Sequence, residues 1–562
     1  MIWAMLLSTA MAIPPLEEAL TEEMNRAMSG LKLPDAPTPY LIAYDLLDGD
    51  VITAQSSFGR LVSLEDEDFR TLRTEVRVGS YQLDSSNFSA FGEPDGIVSR
   101  RLPVEDNVLA LRREVWLSTD EAYKSAVQQL SRKLAARQGE EENKRSPDYT
   151  PAPPVIGELA SLPALPPVDS KALTELTDQL SRELRAFPEL EVGDVLARIW
   201  QGRRLLLSSE GSRLWRNTGF VVVRVEGVVR LADGTRHRNL RSWVVRSMAD
   251  LPPLAEMQAE VRSLGSWLSG MKTAPLEEDY LGPVLFERGA AIELFSQLLP
   301  AEIVGTPPVE EEPDDNAVIS RRAPMARLGR RLLPVGWTVV DDPTTTLPLL
   351  GAYDRDQEGV APRAVEVIHD GVLRDLLMSR IPSRDRSEST GHGRSLSNDR
   401  RGAMPGVLTV KPPHSLSEGA LRRRALRLAA QVGRPYVLVV RAMEPPAMIE
   451  DFDVAITGDA PLPGLTFPTE VYRLYRDGTE EPVRSMEFVG VDRRVLRDID
   501  RAGPMIGPVD MLDGPPGPER FQIGAVGGLG VTWTVPSVLI TELELVGRRG
   551  GEPRILKLPG WE

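Results

Sequence analysis

The sequence predicts an α+β fold with a mixed N-terminal domain and a β-rich C-terminal domain. Three observations lead to this prediction. The chain has 562 residues, which is more than one hydrophobic core usually organises. Apolar residues recur three and four positions apart in Ser118–Arg137, Lys171–Arg185 and Leu254–Leu268, as they do on the buried face of a helix. Strand-like segments punctuated by glycine and proline dominate the rest of the chain.

The N-terminal domain is assigned to residues 13–250 and the C-terminal domain to residues 251–562. Within the first, residues 140–170 form a proline-rich loop, because proline disfavours both helix and sheet. We also predict a helix over Pro14–Ser29 and strands over Tyr40–Phe58 and Leu72–Gln82.

Two local signals place further elements. Ser118 and Glu121 have the spacing of a capping box, which predicts that the long helix begins there. Two apolar runs flank the turn Asp233-Gly234, which predicts a β-hairpin over Arg213–Arg246. Arg422–Val432 has the pattern of an amphipathic helix with a solvated arginine face.

Residues 1–12 form a short apolar segment that ends in a small-residue pattern like a signal-peptidase site. The segment lacks the basic n-region of a signal peptide. An uncleaved helix or a misplaced start codon explains the same pattern. Cytoplasmic and exported or periplasmic locations therefore both stay open. No segment has the about 18–20 consecutive apolar residues of a membrane span.

Composition excludes several classes of site. The chain has no cysteine, so disulfides, thiolate metal sites and cysteine nucleophiles are excluded. Its four histidines are too far apart in sequence to supply a helical pair of zinc ligands. The formal net charge of −16 argues against general nucleic-acid binding, which needs basic surface.

Segments along most of the chain resemble the TldD/PmbA family, named as modulators of DNA gyrase and regarded as zinc peptidases. The resemblance is carried, in order, by Arg77–Tyr81 with Asp84–Phe88, Gly351–Val360, Asp370–Leu373, Met378–Arg380, Ser389–Arg394 and Val535–Ser537. It implies a two-domain α+β architecture, assembly as a dimer, and processing of short or unfolded peptides.

In family members with a metal site, a His-Glu-x-x-x-His helix and a cysteine near the C-terminus bind zinc. The best match in this chain is Ile292–Gln297, where Glu293 corresponds to the catalytic glutamate. Ile292 and Gln297 stand at the two histidine positions and Val526 at the cysteine position. The resemblance therefore implies a homologue without its own zinc site, a pseudoenzyme, for which no cofactor is expected.

The resemblance also places a glycine-, serine- and arginine-rich loop at the peptide cleft. Its implied substrate-binding residues are Arg380, Ser389, Gly391, His392, Gly393 and Arg394, with the arginines holding a substrate carboxylate. The alternative is a mobile, solvated loop. For Glu293, the alternative to a surviving catalytic base is a glutamate that faces solvent or pairs with an arginine.

Three functions remain open from the sequence. The first is a non-catalytic or peptide-binding subunit, in a homodimer or in a heterodimer with a catalytically competent family member. The second is an active metallopeptidase that hydrolyses short or unfolded peptides, with atypical or partner-supplied zinc ligands and Glu293 as its base. The third is a binding protein unrelated to peptides.

Overall fold

The computed structural model describes residues 14–89, 96–137, 146–167, 169–277, 279–311, 328–395, 400–448, 465–484, 486–513 and 529–547. Residues 1–12 and Val526 lie outside the described residues. The helices are α1 (Pro15–Gly30), α2 (Val108–Ala136), α3 (Ser170–Glu183), α4 (Leu254–Gly270), α5 (Arg288–Leu298), α6 (Pro300–Ile303) and α7 (Glu418–Gln431). Within the described residues, no helix has the length and apolar character needed to cross a membrane.

The N-terminal half of the chain builds the first sheet. The strands of this half are β1 (Pro39–Ser57), β2 (Arg60–Val78), β3 (Phe88–Ser89), β4 (Ile97–Arg101), β5 (Ile156–Gly157), β6 (Leu190–Ser208), β7 (Arg213–Arg230) and β8 (Arg236–Val245), and all of them except β3 belong to the first sheet. The sheet has the order β4-β2-β1-β6-β7, and both β5 and β8 pair with β7. The predicted hairpin is β7–β8, in which Gly234 has a φ of +83°.

Side chains of the first sheet alternate between two faces. On β1, Tyr44 and Leu46 belong to a core shared with α1 and α2, and Ile52 belongs to one shared with α3 and α4. Leu47 has the opposite parity and joins a separate apolar cluster that includes Met448 of the C-terminal half. Since strand side chains alternate with period two, one face of the sheet packs on helices and the other on the second half of the chain.

The C-terminal half builds the second sheet. The strands of this half are β9 (Asp279–Phe286), β10 (Glu310–Glu311), β11 (Thr338–Asp341), β12 (Val365–His369), β13 (Val372–Leu373), β14 (Gly393–Arg394), β15 (Gly402–Ala403), β16 (Val407–Lys411), β17 (Tyr436–Met443), β18 (Pro468–Tyr475), β19 (Glu480–Val483), β20 (Met486–Val489), β21 (Ile499–Asp513) and β22 (Leu529–Gly547). Outside the second sheet, β14 pairs with β15 and β10 pairs with β3, each as a separate two-stranded sheet. The main sheet has the order β13-β12-β11-β16-β22-β9-β17-β18-β19, with β20 and β21 also paired to β22. Helix α5 packs against its β17 and β22.

Buried charges lie where the first sheet faces the second half. Asp45 on β1 accepts hydrogen bonds from Arg204 on β6 and from Arg401 of the C-terminal half. All three of these side chains are largely buried. Such pairs are costly to bury but costlier to break, because loss of one partner leaves an uncompensated charge.

A short segment at residues 148–150, which we call the strap, links the two halves. The ring of Tyr149 lies between the guanidinium groups of Arg77, at 3.8 Å, and Arg380, at 4.3 Å. The main chain of Thr150 donates to Arg380 O (3.0 Å) and its carbonyl accepts from Arg380 Nε (2.8 Å). The proline-rich loop predicted over residues 140–170 therefore contains, in its described part, a segment buried between both halves.

Two element boundaries differ from the predictions. Helix α2 begins at Val108, capped by Asn107, whose Oδ1 accepts from Leu109 N and Ala110 N. The capping-box prediction is wrong, since Ser118 is buried in mid-helix and donates to Thr74 Oγ1 (2.8 Å).

The other difference concerns α4. The predicted domain boundary at residue 250 precedes this helix. Its Val261, Leu264 and Leu268 nevertheless pack in the core of the first sheet. The chain passes from one sheet to the other only between Gly270 and Asp279, where β9 begins.

Candidate functional site

Helix α5 holds the glutamate to which the sequence assigns a catalytic role. Ala291, Leu294 and Phe295 anchor the helix in the large core of the C-terminal half. Glu293 is 6% exposed, and no arginine among the described residues pairs with it. Its Oε2 accepts a hydrogen bond from Gln297 Nε2 (2.9 Å), one turn further along the helix. The sequence alternatives of a solvent-facing or arginine-paired glutamate are therefore both wrong.

Burial raises the pKa of Glu293 from its ordinary 4.5 to about 7. The hydrogen bond from Gln297 works in the opposite direction, and the charge of Asp513 adds to the rise. The carboxyl group is thus close to half protonated at neutral pH. A shift of this kind beside a cavity is common at functional sites, although it also occurs at purely structural ones.

Glu293 lines a cavity of about 440 Å³, which we call the glutamate cavity. It lies between β8 of the first sheet and α5, β17 and β21 of the second half, and Ile292, Met448 and Asp510 are among its other lining residues. Its size is within the range of small-ligand and peptide-side-chain sites.

The residues at the family's zinc positions do not fit a zinc ion. Ile292 has no donor atom. The Gln297 amide is occupied on both sides, since Nε2 donates to Glu293 Oε2 and Thr466 Oγ1 (2.8 Å) and Oε1 accepts from Thr466 N (2.8 Å). Across the part of the chain that the structure describes, no three histidine, aspartate or glutamate side chains form a metal-binding group.

The glycine-, serine- and arginine-rich loop is buried rather than solvated. His392 is fully buried, and its Nδ1 contacts Thr390 Oγ1 (2.8 Å). Gly393 N donates to Asp356 Oδ2 (2.8 Å). A Cβ at Gly393 would lie 2.1 Å from Glu358 Oε2, so a side chain there would collide with that carboxylate.

The six predicted substrate-binding residues do not converge on one cavity. Arg394 lines a large cavity described below. Arg380 lies beside the strap, where its Nη1 and Nη2 donate to Glu210 (2.7 and 2.6 Å). A substrate carboxylate would have to replace Glu210 to reach this guanidinium. Ser389 donates to Met378 O and accepts from Gly391 N, which fixes the start of the loop.

A second, larger cavity of about 720 Å³ lies between the first sheet and residues 343–362 of the C-terminal half. We call it the arginine cavity because its charged lining residues are Arg204, Arg216, Arg246, Arg355, Arg394, Asp354 and Asp356. Five arginines and two aspartates give it a positive balance, although the whole chain carries a formal net charge of −16.

The two cavities meet at one hydrogen bond. Leu350, which lines the arginine cavity, donates its N–H to Oδ1 of Asp510 (3.1 Å), which lines the glutamate cavity. The same Oδ1 accepts from Thr532 Oγ1 on β22. The walls of the two cavities are therefore joined through Leu350 and Asp510.

An open strand edge borders the arginine cavity. On one side, β7 pairs with β6 along its length. On the other side, β5 pairs with β7 only at residues 213–214 and β8 only from Val221 onward. Within the described residues, no strand pairs with residues 216–219 on this side, and all four of these residues line the cavity.

The sequence predictions missed the arginines on β6 and β7. Arg204 and Arg216 are paired directly across the two strands. A turn at residues 209–212 joins β6 to β7, and recognition of that hairpin would have placed the two arginines opposite each other. The remaining arginines come from distant segments and no sequence spacing links them.

A family profile described as "PmbA/TldA metallopeptidase C-terminal domain" matches residues 283–443. Over these residues the chain is similar to the C-terminal domain of the TldD/PmbA family. The matched range includes α5 with Glu293, the loop around His392 and strand β17. The family resemblance inferred from the sequence is thus confirmed. No match to this chain is found among curated protein sequences.

Solved structures of similar fold cover nearly the whole of this chain. TldE from Thermococcus kodakarensis has a TM-score of 0.59 at 12% identity, over 95% of this chain and 100% of that one. A candidate modulator of DNA gyrase from Thermotoga maritima has a TM-score of 0.58 at 14% identity, over 94% and 100%. One from Bacteroides thetaiotaomicron has a TM-score of 0.54 at 11% identity, over 95% and 99%. These similarities confirm the predicted α+β fold.

Proposed function

We propose that this chain is a peptide-binding member of the TldD/PmbA family without a zinc site of its own. It serves as the non-catalytic subunit of a peptidase assembly. The observation that carries the proposal is the state of Gln297, at the second histidine position, because its amide is fully used by Glu293 and Thr466. The apolar side chain of Ile292 at the first position adds to this.

The open edge of β7 supports the peptide-binding part of the proposal. An extended peptide can add a strand to such an edge through main-chain hydrogen bonds, while its side chains enter adjoining pockets. Residues 216–219 offer that edge, and the two cavities lie beside it and behind Leu350. The assembly itself, a homodimer or a heterodimer with a zinc-containing relative, is proposed from the family resemblance.

The first test is elemental analysis of the purified, tag-free protein together with a peptide hydrolysis assay. We expect far less than one zinc, iron or manganese ion per chain, and no hydrolysis of short or unfolded peptides. Hydrolysis by the chain alone, lost in Glu293→Gln, would contradict the proposal.

A variant designed to gain zinc binding tests the same assignment from the opposite direction. The triple variant Ile292→His, Gln297→His and Val526→Cys restores the family's ligand types. We expect it to acquire close to one zinc ion per chain, and the Gln297→His single variant to acquire none. If the triple variant folds and stays free of zinc, the assignment of these three positions is wrong.

One observation favours a second candidate, an active peptidase with partner-supplied metal ligands. Glu293 is buried, lines a cavity and has a pKa raised to about 7, so it can exchange a proton near neutral pH. This candidate predicts that hydrolysis appears only when the chain is mixed with a zinc-containing relative. It also predicts that Glu293→Gln in this chain, rather than in the partner, abolishes that hydrolysis.

A further inference from the structure

We infer that the arginine cavity binds a carboxylate of the bound peptide, either its C-terminus or an acidic side chain. The inference rests on the proposed function for the peptide and on the cavity's own chemistry for the carboxylate. It implies a preference for peptides with a carboxylate, which the overall negative charge of the chain would otherwise oppose.

Most arginines of the cavity lack a carboxylate partner within the described part of the chain. Arg204 is paired with Asp45. Among the described residues, the other four make no ion pair. Arg216 donates to the main-chain oxygen of Arg355 (2.8 Å), and Arg394 donates to the main-chain oxygens of Pro405 and Gly530 (2.8 Å for the second). Buried charges are normally paired, so uncompensated guanidinium groups at a cavity wall favour an anionic ligand.

The first sheet brings two of these charges together at a cost. Arg204 and Arg216 are opposite each other in the register of β6 and β7, and like charges in that position destabilise a sheet. Burial and the nearby charge of Arg204 lower the pKa of Arg216 to about 10. An anion between these strands and residues 343–362 would remove this repulsion.

The acidic residues of the cavity do not neutralise it. The carboxylate of Asp356 accepts three main-chain N–H groups, from Glu358, Val360 and Gly393 (2.8–2.9 Å), and so it shapes the loop. Burial and the neighbouring Glu358 raise its pKa, which favours the neutral form. Asp354 is exposed at the rim.

Carboxylate fits the cavity better than a general anion because of the adjoining strand edge. A guanidinium presents two parallel N–H groups that match the two oxygens of a carboxylate. Asn217, Thr218 and Gly219 offer main-chain groups to a peptide in the same cavity. An extended peptide can use the guanidinium groups and the strand edge together. Its main chain pairs with β7, and a carboxylate close to the paired residues reaches the arginines.

The test measures binding of N-terminally labelled hexapeptides to the full chain by fluorescence anisotropy. The set contains a neutral sequence and one with two glutamates, each as the free acid and as the C-terminal amide. We expect peptides with a carboxylate to bind at least about tenfold more tightly than the neutral amide, and this preference to weaken with added salt. Preference for free acids identifies the C-terminus, and preference for the glutamate peptides identifies side chains.

The matched variants are Arg246→Gln with Arg355→Gln, and Arg113→Gln. Arg246 is exposed and the Arg355 guanidinium donates only to the main chain of Asp354, so the double variant leaves the core intact. We expect it to lose about tenfold in affinity for carboxylate peptides and nothing for the neutral amide. Arg113, exposed on α2 outside both cavities, should change neither affinity.

A third variant tests the buried guanidinium. Arg216→Lys keeps the charge but loses the two-pronged geometry, so it should reduce carboxylate preference while the protein stays folded. Equal binding of neutral and acidic peptides, unchanged in all these variants, would overturn the carboxylate inference and leave peptide binding in place. Absence of binding by every peptide would overturn the proposed function together with the inference.

Discussion

Glu293 shows how burial changes the chemistry of a single carboxyl group. This carboxyl group accepts a hydrogen bond from the amide of Gln297, the residue that the resemblance matches to a metal ligand. An amide donor can stabilise the carboxylate but cannot activate water as a metal ion does. The resulting pKa of about 7 is a property of burial, and it has a measurable effect on stability.

We predict that Glu293→Gln makes the protein less sensitive to pH between 5 and 8. Because the pKa of Glu293 is raised from 4.5 to about 7, the native state holds its proton more tightly than the unfolded state. Its stabilising contribution is therefore full below pH 4.5 and is lost as pH rises through 7, a change of up to about 3 kcal/mol. The glutamine variant should lack this loss.

The measurement is the apparent free energy of unfolding in urea at pH 5 and pH 8. Glu105→Gln, at an exposed position before α2, is the control for a general effect of removing one negative charge. Identical pH dependence in the wild type and in Glu293→Gln would show that this carboxyl group does not titrate in the native protein as we expect.

At the scale of elements, the strap is the part that sequence patterns could not place. The proline content of residues 140–170 predicts a segment that is neither helix nor sheet, and most of its described part is irregular. The proline pattern gives no reason to expect that Tyr149 is buried between Arg77 and Arg380, because the two arginines lie in different halves of the chain. Helices with a clear apolar stripe, such as α1, α3 and α7, are predicted within a turn at each end or nearly so.

We predict that Tyr149→Ala destabilises the protein by about 3–5 kcal/mol, while Tyr149→Phe costs less than about 1 kcal/mol. Alanine removes the ring between two buried guanidinium groups and leaves a void. Phenylalanine keeps the ring and loses only a long hydroxyl contact with Glu358 Oε1 (3.3 Å). Denaturant titration of the three proteins checks this, and equal stability of the alanine and phenylalanine variants would mean that the ring contacts contribute little.

At the scale of the whole molecule, the charged interface between the halves determines acid stability. The arginines around Asp45, Glu75 and Asp84 hold the pKa values of these carboxyls below their usual range, against the opposing effect of burial. For such groups the stabilising contribution is present above the ordinary pKa, near 4, and is lost as pH falls below it.

We therefore predict that the thermal unfolding midpoint falls steeply between pH 5 and pH 3. The effect of Glu293 has the opposite sign and acts mainly at higher pH, so the two windows can be separated. Thermal unfolding followed by circular dichroism from pH 3 to pH 8 checks both. A midpoint that stays constant down to pH 3 would contradict the proposed role of the buried carboxyls.

The sequence predicted the family, the fold class and the helix that carries Glu293, because these depend on local patterns and ordered motifs. It did not predict the arginine cavity. Arg204, Arg216, Arg246, Arg355 and Arg394 become neighbours only through the pairing of β6 with β7 and the packing of the two halves. Alternating charges in Arg73, Glu75 and Arg77 were the one local sign that a strand face of the first sheet would be both charged and buried.

The central position of β22 has a consequence for how the protein is made. This strand lies between β16 and β9 and also pairs with β20 and β21, so most of the second sheet is joined through it. During synthesis on the ribosome, the first sheet is complete once β8 has emerged, whereas β9 can pair with β17 on one side but waits for β22 on the other. Nascent chains therefore expose an unpaired edge of β9, and later one of β16, until β22 has emerged, and a premature stop before β22 should yield an aggregating product rather than a smaller folded one.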